Sequence, residues 1–495
     1  MRMNGINQSD AGIVLLTAAN KEAQALAESN EGRAATKGNL RSQSTCRTRG
    51  RESVSQAVER IRQAVKRDPK EKLTALLHHI SVDTLCWSFY SLKKNVAAGV
   101  DGVVWEEYER ELDSRLADLH RRVHTGAYRA LPSRRVNIPK ADGGTRPLGI
   151  AALEDKIVQK AVVELILTPI YEAEFLGFSH GFRPGRGAHD ALDVLAYGIT
   201  ERKVSWIVDA DIRAFFDQID RDWLVRFLEH RIGDKRVIRL IIKWLNAGVM
   251  ESGQWHDDLC GVPQGANVSP VLANVYLHYV LDLWFHKRWR PQNAQGQAMI
   301  VRYADDFVVC FQYRQDAQKF LCDLEDRLRS FALEIHPEKT RLIEFGRFAW
   351  QNRSARGESR PETFDFLGFT HYCRKDRKGK FGLGRKPIAK RVSRTLKRIK
   401  AELRRRMHQD VYEIARWLGQ VIRGWLGYYA VPTSGAFLNS FVHRIKAIWL
   451  KMLRRRSQRD RFSGSRLDRI VCTCWPPVRI LHPWPNHRYA VKHLR

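Results

Sequence analysis

Residues 299–311, MIVRYADDFVVCF, constrain the fold of this chain more than any other stretch. Two apolar, β-forming arms, 299–301 and 307–311, flank a polar centre, and the pattern predicts a strand–turn–strand hairpin. Its tip carries two adjacent carboxylates, Asp305 and Asp306, with Tyr303 just upstream. Like charges at a hairpin tip repel, and a cation between them relieves that cost. Turns also favour Asp for its local hydrogen bonding, so an ordinary solvated turn would carry the same pair. A third carboxylate elsewhere has to decide.

Residues 204–219, VSWIVDADIRAFFDQI, supply one. Val204, Trp206 and Val208 alternate with Ser205, Ile207 and Asp209, which predicts a strand ending near 209–211 and a helix after it. Asp211 falls at that strand's end, where loops leave a sheet and sites form. Capping the next helix is its other use. Asp209 and Asp217 are further acids of the same stretch, and Phe215 and Phe216 put bulk beside them.

Charge narrows the partner. Of the 85 Lys+Arg and 54 Asp+Glu, 32 and 6 lie in residues 371–495, so that quarter carries +26 of the net +31. Such a block calls for a polyanion, and nucleic acid fits it. A spanning membrane helix needs about 20 apolar residues, and no run approaches that length. The eight cysteines are scattered without a CxxC pair, as expected of reduced core thiols rather than a zinc site.

Several segments place further cations. In 134–147, RRVNIPKADGGTRP, a tight loop at Asp142-Gly143-Gly144 predicts a hairpin, with Lys140 and Arg146 flanking the turn where two cations would hold a triphosphate. A helical run over 155–171 leads to a Gly/Arg-rich loop, GFSHGFRPGRG (177–187), whose Arg183 and Arg186 suit phosphate contact. A Gly/Pro loop at 261 precedes a helix starting at Ser269-Pro270. Residues 1–52 read as a disordered tail, and 53–105 as a helical extension. After 371–386, a loop or short hairpin, Val392, Leu396, Ile399, Leu403 and Met407 form the apolar stripe of a helix. Its other faces carry Arg394, Lys397, Arg398, Arg404, Arg405 and Arg406. Two more striped helices follow, making a three-helix bundle that ends near 456 with Arg454 and Arg455, and a basic Pro/Trp-rich segment, 457–495, completes the sequence.

AGVDG (98–102), IPKADGGTRPLGI (138–150), GFRPGR (181–186), DADIRAFFD (209–217), GVPQGANVSPVLAN (261–274), YADD (303–306), LEIHPEKT (333–340) and FDFLGF (364–369) occur in that order. The ordered set resembles the reverse transcriptase/maturase proteins encoded by group II introns, from about residue 70 onward. The resemblance implies an α+β right-hand polymerase, with fingers and an antiparallel palm sheet over 106–370, then a basic α-helical thumb/maturase domain over 371–456. Asp211, Asp305 and Asp306, with the Ile212 carbonyl, would hold two Mg²⁺ ions. Lys140 and Arg146 would grip the phosphates of the incoming dNTP, Gln264 would line its sugar and base, Phe216 would exclude ribonucleotides, and Lys339 would stand near the phosphates as a proton donor. Implied partners are the host intron RNA, an RNA template with a DNA primer, and target DNA reached through 457–495. No paired CxxC follows, so no endonuclease domain is expected, and an existing DNA 3′ end would serve as primer. The expected location is the bacterial cytoplasm. A splicing cofactor that does not polymerise, or a retron or diversity-generating reverse transcriptase, are the other readings; the crowded acids speak against the first and the GWLGYY-bearing basic bundle (424–429) against the second.

Overall fold

The computed structural model describes residues 38–68, 71–139, 144–251, 254–256, 261–376, 378–456 and 462–488. The helices that matter below are α1 (Gly38–Arg67), α2 (Val82–Ser91), α3 (Leu112–Thr125), α4 (Leu153–Val162), α5 (Ala188–Glu201), α6 (Ser269–Leu277), α7 (Arg314–Arg329), α8 (Ala389–Arg405), α9 (Val411–Tyr429), α10 (Gly435–Leu453) and α11 (Gly464–Cys474). The strands are β1 (Ser133–Pro139), β2 (Thr145–Ile150), β3 (Ser179–His180), β4 (Trp206–Ala210), β5 (Val249–Glu251), β6 (Gln254–His256), β7 (Ala298–Tyr303), β8 (Asp306–Phe311), β9 (Arg341–Glu344), β10 (Phe364–Phe366), β11 (Phe369–Lys375) and β12 (Phe381–Pro387). The mixture is α+β.

Three sheets form, in the orders β2-β1-β5-β6, β3-β7-β8-β4-β9 and β10-β11-β12. In the five-stranded sheet β7, β8, β4 and β9 pair antiparallel, and the short β3 runs parallel to β7 at the edge. The sheet is covered on both faces, which explains why the arms of the 299–311 hairpin are apolar throughout. Ile300, Phe307 and Val309 enter one core with α1–α4. Met299, Val301, Val308 and Cys310 point the other way, into a core shared with α5 and β10–β12.

Four sequence expectations change. The tail was expected to run to residue 52, yet α1 begins at Gly38; residues 1–37 lie outside the described residues. The 38–52 stretch lacks an apolar period, but backbone contact holds it: a Cβ on Gly50 would lie 2.6 Å from the Asp83 carbonyl oxygen of α2. A boundary at 370/371 would cut through β11, whose seven residues pair with β12; Phe369 and Cys373, with Leu383 of β12, are buried in the second core. The bundle has a fourth helix, α11, which buries Leu467 and Ile470 against α8–α10, so it continues past 456. Cys86 is disulfide-bonded rather than a reduced thiol.

Candidate polymerase-type active site

The β7–β8 hairpin closes on a two-residue turn. Tyr303 pairs with Asp306, leaving Ala304 and Asp305 at the tip, and Ala304 takes a left-handed φ of 57°. A positive φ at the first turn position matches the twist of the flanking strands. What holds a non-glycine residue there is a buried cation. Arg302, fully buried, donates to the Ala304 carbonyl at 2.8 Å, to Asn274 Oδ1 at 2.9 Å and to Asp282 Oδ1 at 2.8 Å. Asn274 of α6 in turn donates to the Gly181 carbonyl at 3.0 Å, and the Ala304 amide donates to the His180 carbonyl at 3.2 Å. A Cβ on Gly181 (φ 77°) would meet the Ala304 nitrogen at 2.6 Å, so glycine is required. Three of the sequence segments thus meet beneath one turn.

β4 brings in the third acid. Ala210 pairs with Phe307, so Asp211 follows the strand end beside Asp306. The Asp211 carbonyl accepts from the His336 amide at 2.8 Å, and Ile212 bridges to Ile335, anchoring that end to the 333–340 segment. Lys339 Nζ lies 2.7 Å from Asp211 Oδ2. Desolvation and the Asp211 charge push the Asp305 carboxyl up, against the pull of Arg146. Asp306 is pushed up to about 7 by desolvation, then by the charges of Asp305 and Asp211. Its side chain is exposed to solvent, which weakens desolvation as a cause and leaves like-charge crowding as the firmer one.

Around the acids, the residues expected at a nucleotide site fall on connected elements. Phe216, half-buried, follows a left-handed Ala214 (φ 43°), and its carbonyl accepts from the Val262 amide at 2.8 Å. Gln264 donates to Asp217 Oδ1 at 3.2 Å, and its carbonyl accepts from the Gly149 amide of β2 at 2.7 Å. Arg146 sits opposite Ile138 in the β1–β2 hairpin. Lys140 lies outside the described residues.

One expected contact is corrected. Arg183, read from sequence as a phosphate ligand, is buried and forms a two-pronged ion pair with Glu172 (2.9 Å on each oxygen) while donating to the Leu176 and Ser179 carbonyls. It folds the Gly-rich loop instead of meeting a polyanion. Arg186 donates to the Gly177 carbonyl at 2.7 Å. On α8, Arg394, Lys397, Arg398, Arg404 and Arg405 are exposed, as are Arg454 and Arg455 at the end of α10. Arg406 is half-buried, paired with Glu402 and lying over Trp417 at 5.0 Å. Two functional candidates escaped the sequence reading. Arg302 had a signal, a lone cation inside an apolar strand. Arg391 had none: on the first turn of α8, it hydrogen-bonds Tyr429 and its charge bears on Asp306.

The donor set suits a hard divalent cation. Among the described residues no group of three or more His, Cys, Asp or Glu converges into a metal cage. Mg²⁺ does not ask for one, since it takes one or two carboxylates and fills its other positions with water and substrate phosphates. Mutually repelling carboxylates on neighbouring strand ends, one of them already paired to a Lys, match that demand.

Two acids thus stand at a hairpin tip held by a buried Arg, with a third at the adjacent strand end. Residues 138–371 match the family described as reverse transcriptase (RNA-dependent DNA polymerase), and residues 390–472 match the group II intron maturase-specific domain. The chain is 34% identical over 239 residues to Protein YkfC of Escherichia coli (43% of this chain, 62% of the relative). It is 34% identical over 232 residues to the group II intron-encoded protein LtrA of Lactococcus lactis (46% and 38%). With an uncharacterized 91 kDa protein in the cob intron of Schizosaccharomyces pombe it shares 30% identity over 384 residues (65% and 46%). The matches therefore span between 38% and 62% of these relatives' own length. With both domains in this order, the chain belongs to the group II intron-encoded reverse transcriptase/maturase family.

Proposed function

We propose that this protein is an RNA-directed DNA polymerase that also binds its host intron RNA and assists its splicing, and so supports intron mobility by target-primed reverse transcription. The single observation carrying the polymerase half is the placement of Asp211 beside the Asp305–Asp306 tip, its charge raising both tip carboxyls. In this reading the five-stranded sheet is the palm, the β1–β2 hairpin belongs to the fingers, and α8–α11 form the thumb and maturase domain. A pair of Mg²⁺ ions, when bound, supplies activation of the primer 3′-OH and stabilisation of the departing pyrophosphate. The chain's own residues do the rest. Asp211, Asp305 and Asp306 provide the oxygens, with the Ile212 carbonyl beside them. Arg146 draws the triphosphate, and Lys140 is assigned the same task. The half-buried Phe216 ring is assigned the exclusion of a ribose 2′-OH by clash, and the Gln264 segment the lining of the nucleotide. Lys339, already on Asp211, is assigned the protonation of the pyrophosphate.

The maturase half rests on the match over 390–472 and the exposed cations of α8. RNA would be held by backbone charge and shape. Target DNA and the 457–495 segment, the latter partly outside the described residues, stay within the proposal. Among the described residues no helix is long and apolar enough to cross a membrane. Relatives come from bacteria and also include a mitochondrial protein of Marchantia polymorpha, so the bacterial cytoplasm is the proposed, not the required, location. Primer extension on an RNA template with Mg²⁺, run beside a splicing assay of the flanking intron, tests both halves; splicing without extension would leave only the RNA-binding role.

A further inference from the structure

A cavity of about 470 Å³ opens where α5, β12 and the segment after α11 meet. Its outer wall is built, not draped. The Leu481 and His482 amides donate to the Ala430 carbonyl at 2.9 and 3.1 Å, and His482 Nε2 lies 2.8 Å from the Gly427 carbonyl oxygen. The His482 ring stacks on His189 of α5 with centroids 3.8 Å apart. Arg488 reaches Asp190 at 3.3 Å, and Asn486 donates to Glu201 Oε1 at 3.1 Å. Between these anchors Trp484 lines the cavity with 52% of its surface open to solvent. So large an exposed aromatic, fixed on both sides, is an available stacking surface.

The rest of the lining divides by chemistry. Ala196, Leu383 and Pro432 are apolar, whereas Thr200, Glu201 and Asn486 offer acceptors and donors along one side. Two cations lie close by: Arg374 is part of the lining, and Arg347 donates to the Thr200 carbonyl at 3.1 Å. An apolar slot with one polar side and cations close by fits a planar heterocycle attached to a phosphate chain. Charge selects the same occupant, because residues 371–495 carry a net +26 and draw polyanions to this quarter of the molecule.

We propose that this cavity takes one unpaired nucleobase of a bound RNA strand, stacked on Trp484, with its edge toward Thr200, Glu201 and Asn486 and its flanking phosphates toward Arg374 and Arg347. Single-stranded RNA is recognised in this manner wherever a base can be splayed out of the strand. The inference rests on the reading that the chain binds RNA, and it assigns to the segment after α11 a role in reading single strands.

The test uses the full chain and fluorescence anisotropy at one fixed salt concentration. Three probes are compared: a 12-nucleotide single-stranded RNA of mixed sequence, the same sequence as DNA, and a blunt RNA duplex. Trp484→Ala removes the stacking surface, and Ala196→Trp fills the slot from α5. Both should weaken single-stranded RNA binding roughly 5- to 150-fold, the loss of one base–aromatic stack. Duplex affinity and primer extension should stay at the wild-type level. An equal loss on the DNA strand keeps the nucleobase pocket and makes it blind to the sugar. Unchanged single-strand affinity in a folded Trp484→Ala protein overturns the proposal, as does an equal loss on duplex and single strand. Trp484 is half-exposed, so its truncation carries the test even where Ala196→Trp fails to fold. A wild-type chain that extends primers but binds no single-stranded RNA sinks the pocket alone; one that binds no RNA in any form sinks the RNA reading with it.

Discussion

Lys339 Nζ rests 2.7 Å from Asp211 Oδ2, and so ties the segment before β9 to the end of β4. Lys339 is 61% and Asp211 32% exposed, so the pair is of the surface kind and contributes at most about 1 kcal/mol to stability. Its interest lies in where it holds an ammonium: on an acid of the proposed catalytic cluster. A proton donor placed there is worth about 10²- to 10⁴-fold in rate. Lys339→Ala should therefore slow single-nucleotide incorporation by that order with the melting temperature almost unmoved. A rate within twofold of wild type would remove Lys339 from the chemistry.

The three acids should matter to one activity and not the other. Asp305→Ala or Asp211→Asn is expected to abolish cDNA synthesis while intron splicing continues, since α8–α11 bury a core of their own. Assaying both activities on the same preparation checks this. Joint loss of both would mean that the acids serve folding.

Arg302 and Asp282 form an ion pair with neither side chain exposed to solvent. Removing one partner strands the other charge in the interior, at a cost of about 3–5 kcal/mol. Arg302→Met should lower unfolding free energy by that much in urea titrations. It also takes the donor from the Ala304 carbonyl, so the remaining folded protein should polymerise poorly. Pairing it with Asp282→Leu should restore much of the stability, by replacing ions with apolar volume, and little of the activity. Equal recovery of both would show that the Arg302 bond to Ala304 is dispensable.

Phe216 is the residue assigned to sugar selection. Its truncation to Ala should admit ribonucleotides, read as a fall in the ratio of dNTP to NTP incorporation efficiency with dNTP incorporation largely kept. An unaltered ratio would move selectivity to another side chain.

How much of this was legible in the sequence depends on the range over which each signal acts. The 299–311 hairpin and Asp211 were readable because strand periodicity is local and acids at strand ends are conspicuous. Arg183 was misread because a cation in a Gly-rich loop looks the same whether it faces water or Glu172, and Glu172 lies on the preceding helix. Arg391 was invisible as a site residue since its relation to Asp306 exists only through space. β12 was legible only as an arm of a loop or short hairpin, because Gly382 and Gly384 are poor strand formers; they are tolerated because the Arg374 and Tyr372 side chains from β11 lie across them. Its alternation is spoiled by residues whose reason is the neighbouring strand.

Acid should loosen the fold through His371. The ring is wholly buried in β11 and stacks on Phe364 with centroids 4.7 Å apart. Desolvation, then the nearby Arg385 charge, pushes its pKa down to about 3. The unfolded chain, with an imidazole near 6.5, takes up the proton first as pH falls. The stability that His371 contributes is thus complete above about 6.5 and drains away as pH drops toward 3. Between pH 7.5 and 5 the loss from this one residue should be about 2 kcal/mol. Asp155 works in the opposite sense: burial raises its carboxyl to about 6, so stability present at acid pH is lost as pH rises from about 4 through 6. The wild-type curve alone therefore mixes both signs, and comparison with His371→Phe isolates the imidazole. In urea titrations at the two pH values, the variant should lose about 2 kcal/mol less than the wild type. Parallel pH dependence of the two proteins would mean that the ring is protonated inside the fold.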